Sequence, residues 1–519
     1  MSVNAGRKAI ILAAGFGMRM VPINTMYTKG MLRVNDEPLV ERLICQLHEA
    51  DINEIYIVVG FMKEEYDYLV DKYGVKLIVN RHYMEKNNLH SLRLAEKYIG
   101  NSFIIPCDVW CGENPFIEEY TDSWYMVNDL VDDDSILRLN RKNHLNVIGK
   151  NSAGNGMIGI SYIAEQDAEW LVGEIEQLCS DPVYDDSFCE QALIENDKIK
   201  IRAKVVHSAQ YVEINTYEQL RELDEHSDQL KSDAIFTICK ALGAEQTDIT
   251  DITVLKKGMT NRSFLFNCNG SRYIMRIPGE GTDRLINRKE EAEVYNLING
   301  IGICDEIAYI NPLNGYKITK FIEGARVCDP DNYDDLVKCM TKLRAFHNLK
   351  LSVGHRFDIF EKIDFYESLW KHDRSIYKDY EKTKEGVLLL KKYIDSQPKD
   401  ECLTHIDAVP DNFLFTGDDV RLIDWEYSAM QDPHVDIAMF CIYALYDREQ
   451  TERLIDIYFE NDCSDAVRTK IYCYIAACGL LWSNWCEYKL DLGVEFGEYS
   501  LCQYRYAKEY FRIASDRIS

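Results

Sequence analysis

The stretch LTHIDAVPDNFLF at 403–415, followed at 420–440 by VRLIDWEYSAMQDPHVDIAMF, decides how the C-terminal half folds. It reads as HxDxxxxN, an apolar strand, and a second Asp. Phosphoryl transfer to an alcohol needs this set: one Asp to orient the attacking hydroxyl and accept its proton, an Asn to hold metal, and a further Asp on Mg²⁺. Those roles fall to Asp407, Asn412 and Asp424. His405 reads as a buttress of the loop, and Asp432 and Asp436 as carboxylates that stabilise it.

Working upstream, 249–277 alternates strand, turn, strand, hairpin, strand. The turn KKGMTNRSFLF at 256–266 can cover ATP phosphates through backbone amides and hydroxyls, with Gly258, Thr260 and Asn261 as the exposed candidates. On the next strand RYIMRIPG resembles the protein-kinase strand whose Lys grips the α- and β-phosphates, and the resemblance implies that role for Arg276. The helix NRKEEAEVYNLI at 287–298 offers Arg276 an acidic partner, Glu291 or Glu290. Beyond Asp331 helices dominate.

The N-terminal half follows a different rhythm. AIILAAG at 9–15, EIYIVVG at 54–60, KLIVN at 76–80 and SFIIPCDVW at 102–110 are short apolar strands separated by helix-length segments, the pattern of βαβ units and a mostly parallel sheet. The first strand ends in LAAGFGMRM, where Ala13, Gly15 and Gly17 form a turn whose amides can approach a polyphosphate and Arg19 supplies positive charge. Lys29 follows at short distance. Asp108 ends an apolar strand in the switch region of the sheet, which favours ligand chemistry. In YVEINTYEQL at 211–220, alternation puts Glu213 and Asn215 on one face of a strand.

Length and charge bound the alternatives. At 519 residues the chain exceeds one core's usual reach. Near residue 226 a strongly polar helix, YEQLRELDEHSDQLKSD, gives way to an apolar one, AIFTICKALG. The boundary is expected between about Glu225 and Asp233, giving domains 1–228 and 229–519. With 46% hydrophobic and 28% charged residues the composition is globular. A net charge of -27 argues against a nucleic-acid surface, though not against nucleotides in a small pocket. No stretch approaches the roughly 20 apolar residues of a bilayer span, and the 17 cysteines show no paired metal spacing. A cytoplasmic protein with buried free thiols is expected.

The LAAGxGxR turn, the following Lys and the strand-end Asp resemble the nucleotidyltransferases that activate sugar phosphates and phosphocholine, over roughly Lys8 to Leu223. The resemblance implies that the glycine loop wraps the triphosphate, that Arg19 and Lys29 neutralise charge at the α-phosphorus, and that Asp108 holds Mg²⁺. Such enzymes usually place a Pro before the Lys, where Thr28 stands here. They also supply a second metal-binding Asp where this chain has Asn215. Either Asn215 coordinates through its carbonyl, or Glu213 substitutes, or this half is weakened. LIVNRHYMEKNNLHSLRLA at 77–95 resembles phosphocholine cytidylyltransferases, with Asn80, Asn87, Asn88 and Ser91 as candidate contacts.

From Ile252 onward the motifs resemble the choline and ethanolamine kinases of the aminoglycoside-phosphotransferase-like fold. In that family a WxxW pair occupies the position of Trp482 and Trp485 in CGLLWSNWCEYK, which implies an aromatic cage for a quaternary ammonium, with Tyr488 as a third wall. The expected architecture is α/β: a Rossmann-like nucleotidyltransferase domain joined to a protein-kinase-like α+β domain. The expected activity is phosphorylation of choline with ATP and transfer of CMP from CTP to phosphocholine, with Mg²⁺. The alternatives are ethanolamine or an aminoalkylphosphonate as substrate, or a working kinase carrying a non-catalytic nucleotide-binding module. The expected partners are small molecules, without nucleic acid or membrane insertion; a homo-oligomer is left open.

Overall fold

The computed structural model describes residues 6–23, 27–133, 135–148, 153–255, 261–279 and 285–518. Compactness divides the chain into one unit of 1–257 with 262–269 and a second of 258–261 with 270–519.

In the first unit, strands β1 (Lys8–Ala13), β2 (Glu54–Val59), β3 (Lys76–Val79), β4 (Ser102–Pro106), β5 (Trp124–Asp132), β6 (Gly154–Ile163) and β7 (Arg202–Val206) form a seven-stranded sheet of order β7-β5-β6-β4-β1-β2-β3. β1 runs parallel to β2 and β4, β2 to β3, and β7 to β5; β6 is antiparallel to both its neighbours. The continuous apolar run of β1 follows from burial on both faces. Ala9, Ile11 and Ala13 join a core under helix α1 (Leu39–Glu49), which presents Val40, Leu43, Ile44 and Leu47 at helical spacing. Ile10, Leu12 and Ala14 face a second core with Leu89 and Leu92 of α2 (Asn88–Leu94) and Leu171 and Ile175 of α3 (Glu165–Cys179).

The polar helix expected over 217–233 is shorter. It stops at Leu223 as α4 (Tyr217–Leu223), and a 3-10 turn follows at Asp228–Leu230. Side chains win over helix propagation here: the Asp224 carboxylate accepts from Asn35 N at 2.8 Å and His226 N at 3.2 Å, while Gln229 bonds the backbone of Arg33 and Met31.

Strands β8 (Ile249–Val254) and β9 (Asn261–Cys268) pair antiparallel, and β10 (Ser271–Pro278), β11 (Ile307–Ile310) and β12 (Lys317–Lys320) form a sheet of order β10-β12-β11. Helix α5 (Arg288–Ile298) joins β10 to β11. The second unit continues in helices α6 (Tyr333–Asn348), α7 (Ile359–Ser368) and α8 (Tyr380–Ser396), the hairpin β13 (Phe413–Thr416) and β14 (Asp419–Leu422), then α9 (His434–Tyr443), α10 (Arg448–Phe459), α11 (Asp465–Leu490) and α12 (Glu498–Ile518). α11 is buried without interruption from Thr469 to Leu481, so its apolar run is a central core helix. Among the described residues no helix is long and apolar enough to cross a membrane, and no cysteine is in a disulfide.

Candidate functional site

Two constellations form, one in each unit. In the first, β1 ends in the glycine turn. Gly17 has φ +66°, and a Cβ there would lie 2.9 Å from Lys29 Cγ, so glycine is required both by the backbone and by the lysine stem packed against it. Asp108 leaves the end of β4, and its carbonyl accepts from Ile214 N at 2.8 Å. The strands Val109–Cys111 and Tyr211–Glu213 pair antiparallel with Glu213 opposite Val109, which brings the two sequence-distant candidates together. Lys29 Nζ then lies 2.6 Å from both Asp108 Oδ2 and Asn215 Oδ1, and Arg19 Nη2 donates to the same Asn215 oxygen at 3.1 Å. Asn215 is fixed from behind: its N–H donates to Gln219 Oε1 at 2.7 Å within the capping box of α4. Burial first, then the negative Asp108, pushes the Glu213 carboxyl up to about 7, while its bond with Asn215 pulls the other way.

The cytidine candidates bond one another and the 186–189 segment. Asn80 Nδ2 donates to the buried Ser91 hydroxyl at 3.0 Å, its Oδ1 accepts from His82 N, and Asn88 Oδ1 accepts from Cys189 N at 2.7 Å. The cap of α2 is Asn87, whose side chain accepts from Asn88 N. Ser91 lies inside the helix.

In the second unit Asp407 and Asn412 share one short loop: Asn412 Nδ2 donates to the Asp407 carbonyl at 2.9 Å and reaches Asp407 Oδ2 at 3.3 Å. Asn412 O accepts from Ile423 N at 2.9 Å, docking the end of β14, and hence Asp424, beside it. Ile406, next to Asp407, has φ +70°, a genuine outlier for a β-branched residue, and Asp424 has φ +67°, so the backbone is bent beside one acidic residue and at the other. Asp436, fully buried, pins one bend by accepting from His405 N and Ile406 N at 3.0 and 2.7 Å, and His347 Nε2 contacts it at 2.9 Å. His405 Nε2 lies 2.9 Å from the Ile423 carbonyl and so buttresses the other. Asp432 instead lies 2.6 Å from Lys470 Nζ. Burial, then Asp424, pushes the Asp407 carboxyl up to about 7.

Arg276 pairs with Glu291 through both guanidinium nitrogens, at 2.6 and 2.8 Å; Glu290 is not its partner. Gly258 and Thr260 lie outside the described residues, as does the side chain of Asn261, whose backbone begins β9. On α11 the rings of Trp482 and Trp485 stand edge to face, 5.2 Å apart and 77° inclined, and Tyr488 follows half-buried one turn on. Two aromatic residues escaped the sequence reading. Tyr427 is 6.2 Å from Trp482 and perpendicular to it, and Tyr366 on α7 is bonded to Tyr427; burial pushes both hydroxyls up, with Asp407 among the nearby charges. Tyr427 could have been suspected from its place three residues after Asp424. Tyr366 carries no local signal.

Among the described residues no group of three or more His, Cys, Asp or Glu side chains is drawn together for a metal. Both candidate sets mix carboxylates with a carboxamide, hard oxygen donors that suit Mg²⁺. At Asp108 and Asn215 the Lys29 ammonium already stands between the oxygens, so the spot accepts a cation.

The description "MobA-like NTP transferase domain" fits residues 9–131, and "Phosphotransferase enzyme family" fits 251–472. A choline-phosphate cytidylyltransferase of Streptococcus pneumoniae is 32% identical over 222 residues, 42% of this chain and 97% of that protein. The N-terminal half belongs to the choline-phosphate cytidylyltransferase family. To this cytidylyltransferase-family half the chain joins a phosphotransferase half that is similar to Protein LicA of Haemophilus influenzae, at 26% identity over 258 residues, 47% of this chain and 95% of that one. The crystal structure of choline kinase LicA from Streptococcus pneumoniae is 28% identical and aligns over 54% of this chain and all of that one, with a TM-score of 0.47. Both halves are thus of enzyme families, fused in one chain.

Proposed function

We propose that residues 229–519 phosphorylate choline with ATP and that residues 1–228 couple the phosphocholine to CTP, giving CDP-choline and pyrophosphate. The observation that carries the reading is the Asp407–Asn412 loop with the segment leading into Asp424 bonded beside it, in a chain whose other half is of the choline-phosphate cytidylyltransferase family.

In the kinase half Asp407 accepts the choline hydroxyl proton as the oxygen attacks the γ-phosphorus and ADP leaves; its raised affinity for a proton suits that task. Arg276, set by Glu291, binds the α- and β-phosphates. The faces of Trp482, Trp485, Tyr427 and Tyr366, with Tyr488, hold the trimethylammonium, which offers no hydrogen-bond donor. In the cytidylyltransferase half the Gly15–Gly17 turn lies along the triphosphate, and Arg19 and Lys29 take up the charge that develops at the α-phosphorus as a phosphocholine oxygen attacks and pyrophosphate departs. Mg²⁺, held by Asn412 with Asp424 and by Asp108 with Asn215 or Glu213, neutralises phosphate charge when bound.

Separate assays test each half: choline with ATP for phosphocholine, and phosphocholine with CTP for CDP-choline. Ethanolamine and 2-aminoethylphosphonate run in parallel. Preference for the trimethylated substrates supports the reading; preference for a primary amine reassigns the substrate.

A further inference from the structure

Beside the Arg276–Glu291 pair the structure brings two more charged side chains, Arg288 from the first turn of α5 and Glu426 from the segment after Asp424. Arg288 Nη1 lies 3.0 Å from Glu291 Oε2 and 3.9 Å from Glu426 Oε2, and Arg276 Nη1 lies 3.5 Å from Glu426 Oε2. Each guanidinium therefore touches both carboxyl groups, and the four side chains close a ring. All four side chains are buried, at 6% exposure for Arg276, 5% for Arg288, 1% for Glu291 and 11% for Glu426. The turn between β11 and β12 seats both arginines. Gly315 accepts from Arg276 Nη2 at 3.2 Å, and at φ +69° it carries no Cβ, which would lie 2.7 Å from Arg288 Cδ and 2.8 Å from its Nε.

We propose that Arg288 is a positioning residue for nucleotide binding, which rests on the kinase reading above. When ATP phosphates draw on the charge of Arg276, the Glu291 carboxylate, 1% exposed, loses its closest counter-charge, which costs heavily unless a second cation stays beside it. Arg288, whose Nη1 donates to Glu291 Oε2 at 3.0 Å, is that cation, while Lys317 acts on the same carboxylate by charge from farther away. Arg288 keeps Glu291 aimed at Arg276, and it keeps Glu426 in place two residues from Asp424, so the phosphate grip and the metal-binding Asp are set by one ring. Arg288 itself touches no reacting atom and acts through these neighbours.

The test uses the full chain, with MgATP affinity measured by displacement of a fluorescent nucleotide without choline, alongside steady-state phosphorylation. Arg288→Met is expected to weaken MgATP and raise its KM by about 10-fold or more while the KM for choline stays within about 2-fold. Arg288→Lys, which keeps the charge and loses the fork, should recover most of that loss. Arg288→Gln, which keeps a polar side chain and loses the charge, should shift MgATP affinity in the same direction, so it decides the matter if Arg288→Met does not fold. Unchanged MgATP affinity in either variant, or an equal loss toward both substrates, overturns the proposal. Failure of the wild-type protein to phosphorylate choline would strike the kinase reading, while nucleotide displacement would still read the ring.

Discussion

The two proposed triphosphate sites hold their cations in opposite ways. Arg19 and Lys29 in the N-terminal half meet at the neutral oxygen of Asn215, with Asp108 as the one carboxylate bonded to Lys29, and the lysine side chain keeps 16% exposure. Arg276 in the C-terminal half is 6% exposed and forked onto Glu291. A cation shared with an amide can be handed to a phosphate at small cost, whereas one locked in a buried ion pair is fixed in direction before the nucleotide arrives. The first arrangement favours charge transfer to a reacting phosphorus, the second a rigid grip on phosphates that do not react.

The largest expected effect separates the halves. Asp407→Asn should lower phosphocholine formation by on the order of 10³-fold or more while CDP-choline formation from added phosphocholine is unchanged, read by mass spectrometry. Lys29→Ala is the reciprocal cut: about 10²- to 10³-fold on cytidylyl transfer and none on the kinase. An equal loss of both activities in either variant would break the comparison.

A finer effect sharpens it. Asn215→Asp adds a charge beside Asp108 and Glu213, so the Mg²⁺ concentration for half-maximal cytidylyl transfer should fall by about 3- to 10-fold, at the expense of looser Arg19 and Lys29. If the Mg²⁺ dependence does not move, Asn215 is not a metal ligand.

The smallest effect concerns pH. Glu213 and Asp407 both bind their proton more tightly folded, at about 7, than a free carboxyl does. The stability they contribute is therefore complete below about pH 4 and is lost as pH rises through about 7. The metal-free protein should melt a few degrees lower at pH 8 than at pH 5.5, with a shallower slope in Glu213→Gln and little slope in saturating Mg²⁺. A melting temperature that rises over this range would contradict the assignment.

What the sequence made legible follows from where the determinants lie. The β1 run, the glycine turn and the HxDxxxxN motif are local, so period and spacing declare them. Arg276 and Glu291 were paired by their places on a strand and the following helix. The end of α4 was missed because Asp224 and Gln229 bond to residues 31–35, nearly two hundred positions away. Tyr366 joins Tyr427 only through tertiary packing, and the ring of Arg276, Glu291, Arg288 and Glu426 closes only when residues 150 apart in sequence meet. Asn80 and Ser91 bond each other within their run, whereas Asn88 accepts from Cys189 N, 101 residues on, a partner that spacing does not declare.

The most direct test of the fused pathway is to give the full chain trimethyl-deuterated choline, ATP, CTP and Mg²⁺ in one vessel and follow the label by mass spectrometry. Label is expected to pass from choline through phosphocholine into CDP-choline, with both steps abolished when ATP is omitted and only the second when CTP is omitted. Labelled phosphocholine that accumulates and never enters CDP-choline would contradict the account.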